Sequence, residues 1–486
     1  MSTPTTLSAL PTELLYIIAQ VSTATDFLSL LLANRNINGA LTPLLYGSII
    51  LKCYAVAQKC TDTLSNDPTA NFDGRDLAAC VWSFTVDFQH YGMFGEWRVR
   101  FRNSLEIALG RMSGLQHFTF YSAYFGTPRT FISALRAAAS TLRTLGFRPD
   151  ENVWWEDETD AHVFDEFRLE FPELNSIALT LFDDLAQPWY AFFQYLLASR
   201  SKYLRTLSIT DYWERLTLAP LLRTTTAWSA LEELTLVILN SNFSVADLPP
   251  APNVRKLTID TLFKVPGKAR VRAPIPDSIP GHLFPNLEHL ACPYQLLPAF
   301  LPPDVETQRP IKIVCLDPPY FDPNRRVKWA TSRFTDWPLP QWADVRNALT
   351  CLPRSAGPVV DLSFCVDGLD AATLGNDLSW TARSLERLFI ALHQDPDNAD
   401  HLGHLGETLF AYTPKLSTFV LSDVPKEASF EWTFVFASDR EQQNNWLEEW
   451  ERNAESGTLR EVAFTAECRW RRMEHGWVVH DYKEEE

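Results

Sequence analysis

A short phrase, apolar-x-x-apolar-x-apolar, recurs thirteen times and limits what this chain can fold into. It occurs at Val81/Phe84/Val86, Leu115/Phe118/Phe120, Leu142/Leu145/Phe147, Leu174/Ile177/Leu179, Leu204/Leu207/Ile209, Leu231/Leu234/Leu236 and Val254/Leu257/Ile259. It continues at Leu287/Leu290/Cys292, Ile311/Val314/Leu316, Val359/Leu362/Phe364, Leu385/Leu388/Ile390, Leu416/Phe419/Leu421 and Leu459/Val462/Phe464. The alternation that ends each phrase is the period of a strand with one buried face. Helical patterns lie between phrases, such as Trp189, Phe192, Phe193 and Leu196 before Leu204, and Leu402, Leu405 and Leu409 before Leu416. Helix, loop and strand in repeated order predict parallel strands joined by helical crossovers. One such unit cannot bury its apolar face alone, whereas neighbours stacked in series can. The expected architecture is therefore an irregular solenoid, with another α/β arrangement of the same units as the alternative.

The first fifty residues follow a different period. Pro11 opens a segment in which Leu14, Ile17, Ile18 and Val21 recur at helical spacing, and proline in a first helical turn costs no hydrogen bond. A break at residues 22–25 follows, and Thr25 or Asp26 is placed to cap a second helix that runs to about Ala33. That helix is apolar almost all round, with Phe27, Leu28, Leu30, Leu31 and Leu32. A third helix from about Asn34 is expected to stop near Thr42-Pro43, because the residue before proline disfavours the helical region. Ser48 to Leu51 then reads as a strand. Three helices this short make a poor core by themselves. Their surplus apolar surface either packs on the following domain or meets another protein.

Four blocks in this segment carry a resemblance: Leu10-Pro11-Thr12-Glu13-Leu14-Leu15-Tyr16-Ile17-Ile18, Asp26-Phe27-Leu28-Ser29-Leu30, Asn34-Arg35-Asn36-Ile37-Asn38 and Leu41-Thr42-Pro43-Leu44-Leu45-Tyr46. In order and spacing they resemble an F-box, closest to the fungal form in which a TPLLY segment leads into a strand. Val21 stands where Leu is commoner, and Asn34-Arg35-Asn36 replaces the usual small or Cys-containing step. The resemblance implies docking on the Skp adaptor, and through it on cullin and RING subunits, of an SCF-type ubiquitin ligase. The positions matching its partner-facing residues are Leu10, Pro11, Leu14, Leu15, Ile18, Phe27, Leu28 and Leu31.

The rest resembles the degenerate leucine-rich-repeat-like region that often follows a fungal F-box. The phrases start about 31 residues apart on average, above the ~20–29 of leucine-rich repeats. The Asn or Cys usual eight positions after the first Leu is replaced by Ala123, Asp150, Tyr212, Leu262 and His393, among others. The expected fold class is α/β: a three-helix F-box over 7–51, an irregular leucine-rich-repeat-like solenoid over 75–470, and a C-terminal tail over 471–486. Between Ile311 and Val359 lies a Pro- and Trp-rich insertion with Arg325, Arg326, Lys328, Trp329, Arg333, Trp337 and Trp342; between Leu416 and Leu459, a helix over about 439–455 with Trp446 and Trp450. Residues 150–173 are acidic, whereas Lys264, Lys268, Arg270 and Arg272 make a basic stretch.

Charge narrows the partners. The net charge is −17, from 43 Lys and Arg against 60 Asp and Glu. That argues against nucleic acid or an anionic membrane, since phosphate binding draws its affinity from Lys and Arg. The eight cysteines include no Cys-x-x-Cys pair, which predicts neither a zinc module nor a disulfide framework, and a reducing compartment. No positively charged segment precedes an apolar core at the start, and no apolar run reaches the ~20 residues a bilayer requires. The expected location is cytoplasmic or nuclear.

Catalytic signatures are missing: there is no Gly-x-Ser-x-Gly, Walker-type loop or kinase set. His401 and His404 near Asp395, Asp397 and Asp400 lack a third ligand at a recognisable spacing, so a solvated helix start is the expected reading. No catalytic residue, metal or other cofactor is expected. The sequence therefore predicts a non-enzymatic substrate receptor. Its target, an unidentified protein, is expected to meet a rim formed by Lys264, Lys268, Arg270, Arg325, Arg326, Lys328, Trp329 and Trp337, because Arg and aromatic residues concentrate interface energy. The small, uncharged middle positions of the phrases are expected to floor the groove. Two further readings stand beside this one: an adaptor-binding scaffold outside ubiquitination, and an α/β domain with a small-molecule cleft.

Overall fold

The computed structural model describes residues 10–66, 76–87, 96–121, 133–148, 171–181, 187–211, 221–222, 225–238, 244–260, 276–304, 308–316, 340–369, 371–378, 382–392, 399–423, 439–453, 458–464 and 468–481. The chain divides into two units, Met1–Thr225 and Thr226–Glu486. Both are α/β, built on mostly parallel strands in chain order, an arrangement compatible with a solenoid.

The first unit opens with α1 (Thr12–Val21), α2 (Ala24–Ala33) and α3 (Arg35–Gly47), and α3 leads into β1 (Ser48–Leu51). Side chains set the boundaries. Pro11 occupies the cap position of α1. Thr23, rather than Thr25 or Asp26, caps α2, its hydroxyl accepting the Asp26 N–H at 3.2 Å. Asn34 caps α3 by accepting the Asn36 N–H at 2.7 Å. The expected stop at Thr42-Pro43 is corrected: α3 runs through Pro43 to Gly47. Leu41 is fully buried, and Leu44 packs against the same cluster. Continuing the helix keeps both in place, and this packing outweighs the local preference of the residue before proline.

Helices α4 (Tyr54–Ser65) and α5 (Glu96–Arg111) lie on either side of β2 (Ser83–Asp87) in sequence. They share a polar cluster, in which the Ser104 hydroxyl donates to Asp62 at 2.6 Å and Gln58 Nε2 donates to Asp62 at 2.7 Å. The unit continues with β3 (His117–Tyr121), β4 (Thr144–Arg148), β5 (Ser176–Leu181), α6 (Gln187–Arg200) and β6 (Thr206–Asp211). β1 to β6 run parallel and in register, so Ile49, Phe84, Phe118, Leu145, Ile177 and Leu207 form one buried row.

In the second unit β7 (Glu233–Ile238), β8 (Lys256–Asp260), β9 (His289–Cys292) and β10 (Ile313–Leu316) are followed by α7 (Trp342–Leu349). Next come β11 (Asp361–Val366), α8 (Ala371–Leu378), β12 (Arg387–Leu392) and β13 (Thr418–Asp423). Helix α9 (Arg440–Asn453) precedes β14 (Glu461–Ala463). β7 to β14 are parallel, and Leu234, Leu257, Leu290, Val314, Leu362, Leu388, Phe419 and Val462 align as the buried row. The guanidinium of Arg309 is wholly buried and donates to the carbonyls of Phe300, Ile279 and Pro280 at 2.6, 2.7 and 2.8 Å, tying that segment to the approach of β10.

The expected tail over 471–486 is corrected in its first part. Residues 468–481 form an antiparallel hairpin, β15 (Cys468–Met473) and β16 (Gly476–Asp481), paired onto β14. Trp470 is buried, and its indole donates to Gln443 of α9 at 2.8 Å. Alternation around a central Trp, with a tight turn at Gly476 (φ +115°), makes this a strand pair, and residues 482–486 lie outside the described residues.

The missing Asn ladder has a substitute. In most phrases the carbonyl just after the first residue accepts two N–H groups from the start of the next strand. Gln116 accepts from Arg143 and Thr144, and Val360 accepts from Glu386 and Arg387. The residue before the next phrase adds a hydroxyl bond to the previous phrase's first carbonyl: Thr141 to Leu115 at 2.8 Å, Ser384 to Val359 at 2.7 Å, Thr458 to Leu416 at 3.2 Å. Each bond fixes one strand's register on the last.

Candidate functional site

Among the described residues, the three helices enclose a small hydrophobic cluster of Leu15, Leu31, Ile37 and Leu41. Much apolar surface is left over. On α1, Leu14, Ile17 and Val21 are 45%, 56% and 81% exposed; on α2, Leu28 and Leu32 are 52% and 87% exposed. The spacings i, i+3, i+7 and i, i+4 put each set on one stripe of its helix. Two successive helices that each leave an apolar stripe in water make a protein-docking surface the leading candidate site.

The eight expected partner-facing residues divide into three groups. Pro11, Leu14 and Leu28 are exposed. Leu10, Ile18 and Phe27 are half-buried, with Leu10 and Phe27 packed against the cluster. Leu15 and Leu31 are corrected, because both side chains lie in the cluster core and hold the helices together. Ile17, Val21 and Leu32 are as exposed as any of the expected set, and their apolar type at helical spacing was the signal for them. The helix turns are held locally: Ser22 donates to the Ile18 carbonyl at 2.7 Å, and the Asn38 amide donates to the Leu31 carbonyl at 3.0 Å.

The second candidate surface is the strand face opposite the buried rows. In the first unit the middle positions Thr85, Thr119, Gly146, Ala178 and Ser208 stand side by side in register. The row beside them, Ser83, His117, Thr144, Ser176 and Thr206, carries no carboxylate or Lys/Arg charge. A β-carbon at Gly146 would lie 3.0 Å from the Thr119 side chain, so this floor is closely packed. In the second unit the middle positions are Thr235, Thr258, Ala291, Cys315, Ser363, Phe389, Val420 and Ala463. Beside them runs a charged row, with Glu233–Lys256 at 3.6 Å and Asp361–Arg387 at 2.7 Å. Burial, with the Lys256 charge second, pushes the His289 imidazole down to about 4. Burial raises Asp260, at the end of β8, to about 6.

Lys264, Lys268, Arg270, Arg325, Arg326, Lys328, Trp329 and Trp337 lie outside the described residues. Their segments leave the carboxyl ends of β8 and β10, and β9 alone stands between those strands. Trp342, from the same insertion, is a core residue: it stacks on Phe364 at 5.4 Å, and its indole donates to Asp377 at 2.9 Å. Trp446 and Trp450 are buried too. Among the described residues no group of three or more His, Cys, Asp or Glu is placed to hold a metal. Among them also, no helix is long and apolar enough to cross a membrane.

No family model and no curated protein matches this chain. A crystal structure of a Bacteroides fragilis protein, a structural-genomics target, aligns over 65% of this chain and 74% of its own length. The identity is 11% and the TM-score 0.28, so the likeness carries no argument.

Proposed function

We propose that this chain is a non-catalytic substrate-recognition subunit of an SCF-type cullin–RING ubiquitin ligase. In this reading α1–α3 are an F-box that docks on the Skp adaptor, and the strand-and-helix units are turns of a leucine-rich-repeat-like solenoid that holds a target protein. The observation that carries it is the apolar surface left in water on α1 and α2, at positions within or beside the F-box-like blocks. A cluster with four buried residues gains much from a partner that covers those stripes.

The receptor supplies no chemistry of its own. It raises the local concentration of target lysines near the ubiquitin-loaded conjugating enzyme, and the gain is one of proximity. Target selectivity is assigned to the basic segments that follow β8 and β10, against an acidic or phosphorylated stretch.

Replacing Leu14 and Leu28 together by Asp tests the docking. Both side chains are exposed, so the fold is expected to survive, with an unchanged circular dichroism spectrum. Skp adaptor captured by the wild-type chain should be lost from the variant. Equal capture by both sinks the F-box reading.

A further inference from the structure

In the first unit the residues just ahead of the strands form a row of their own. Trp82, Gln116, Arg143, Asn175 and Arg205 follow one another, each carbonyl accepting the backbone N–H of the next. Strand spacing of about 4.8 Å puts Arg143 and Arg205 about 10 Å apart and makes the whole row about 19 Å long. Every side chain in the row donates hydrogen bonds, and the two guanidiniums only donate. Arg143 is exposed, and Gln116 and Asn175 are half-buried. Among the described residues, the side chains of these three have no hydrogen-bond or ion-pair partner. The equivalent row of the second unit differs. There Glu232, Arg255, Glu288 and Lys312 alternate in sign, with Lys312 and Glu288 paired at 3.3 Å. That row balances its own charges, and the row of the first unit does not.

The adjoining turns keep the same bias. Across residues 112–116, 139–143, 171–175 and 201–205 the cations are Arg143, Lys202 and Arg205, and the one carboxylate is Glu173. Two aromatic side chains are exposed beside the row, Trp82 at 47% and Tyr203 at 60%. Both are held in place. Trp82 stands edge-on to His117 at 5.7 Å. Arg200 covers one face of the Tyr203 ring at 4.6 Å, while donating to the Pro172 and Leu174 carbonyls at 2.8 and 3.2 Å.

We propose that this row binds a short acidic segment of another polypeptide, laid in extended form across the strand starts. Arg143 takes one carboxylate, and the Lys202 and Arg205 end of the row takes the next. The amides of Gln116 and Asn175 pair with the segment's backbone. In an extended chain, residues three apart lie about 10 Å apart, so the spacing selects an acid-x-x-acid pattern. Trp82 and Tyr203 add aromatic contacts of the kind that concentrate interface energy. A short segment fits better than a nucleic acid or an anionic membrane. The net charge of −17 repels any polyanion that runs past the row by more than a Debye length of about 8 Å. The surface is separate from the apolar stripes of α1 and α2 and does not rest on the F-box reading.

Fluorescence anisotropy on the full chain tests this, with a labelled nonapeptide carrying glutamate at its second, fifth and eighth positions. Saturable binding that weakens as salt rises is expected, and the same peptide with glutamine at those positions should bind roughly tenfold more weakly or worse. Arg143→Glu with Lys202→Glu, both at exposed positions, should keep the circular dichroism spectrum and weaken binding by roughly tenfold or more. Tyr203→Ala, which leaves the charges in place, should weaken binding at every salt concentration. Charge reversal at Arg325, Arg326 and Lys328 should leave the affinity unchanged. Absence of saturable binding overturns the proposal. So does binding that survives the Arg143 and Lys202 reversal but is lost with the Arg325, Arg326 and Lys328 reversal. A single-stranded oligonucleotide that binds more tightly than the glutamate peptide and displaces it would assign the row to another class of ligand, and also overturns it.

Discussion

At the scale of single residues, the hydroxyl ahead of some phrases adds to what the apolar residues within them contribute. Ser384 donates to the Val359 carbonyl at 2.7 Å and Thr141 to the Leu115 carbonyl at 2.8 Å. Removing either hydroxyl leaves a partly shielded carbonyl short of a donor. Ser384→Ala is therefore expected to cost about 1 kcal/mol, read as a lower denaturation midpoint at unchanged slope. Ser417→Ala, whose hydroxyl bond is exposed, should cost less.

His289 and Asp260 make opposed contributions to the pH dependence of stability. His289 has its pKa lowered to about 4 from 6.5, so below pH 6.5 the unfolded chain binds a proton that the folded chain refuses. Its contribution is complete above 6.5 and is lost as pH falls toward 4. Asp260 is raised to about 6 from 3.8, so the folded chain keeps a proton that the unfolded chain releases. Its contribution is present below 3.8 and is lost as pH rises toward 6. The two slopes partly cancel in the wild type. His289→Gln should leave stability falling as pH rises from 4 to 6, and Asp260→Asn should leave it rising. Thermal unfolding of both variants across that window checks the pair, and parallel profiles would contradict the assignment.

At the scale of elements, the C-terminal hairpin departs most from a reading of the sequence. Arg469, Arg471, Arg472 and Glu474 look like a solvated end. Yet Arg469 pairs with Glu461 at 3.0 Å, Arg472 with Glu451 at 2.8 Å, and Trp470 is buried beneath them. A true tail could be deleted without effect. Truncation after Phe464 is instead expected to uncover β14 and part of α9, and to lower the melting temperature. Trp470→Ala alone should cost about 3 kcal/mol. The N-terminal helices show the reverse case, in which Leu15 and Leu31 were expected to face a partner but serve as core. Which side of a nearly all-apolar helix faces inward depends on its neighbours, and α2 offers its own sequence little contrast to read.

At the scale of the whole molecule, a chain of net charge −17 carries its basic segments and its acidic block in separate stretches of the sequence. In the strand order β9 alone separates β8 from β10. Charge reversal at Arg325, Arg326 and Lys328 should weaken target capture, with the loss shrinking as salt screens it, and should leave adaptor binding unchanged. Target capture lost instead through Ser208→Arg and Thr235→Arg, with the rim reversal silent, would move the site to the strand face.

The thirteen phrases were legible because a strand with one buried face writes its period into every second residue. All thirteen became strands, with their apolar positions buried. Helical spacing likewise marked α1, α6 and α9. The tertiary structure decided what local pattern leaves open. It carried α3 through Pro43, because Leu41 and Leu44 are worth more in the cluster than the local preference of Thr42. It made Trp342, at the end of the Trp-rich insertion, a core residue, because Phe364 and Asp377 arrive from elsewhere in the chain. It replaced an Asn ladder with carbonyls and hydroxyls whose partners lie roughly one repeat away in sequence. Period is a property of neighbours along the chain and can be read there. Burial is a property of neighbours in space, and only the packed strands and helices determine it.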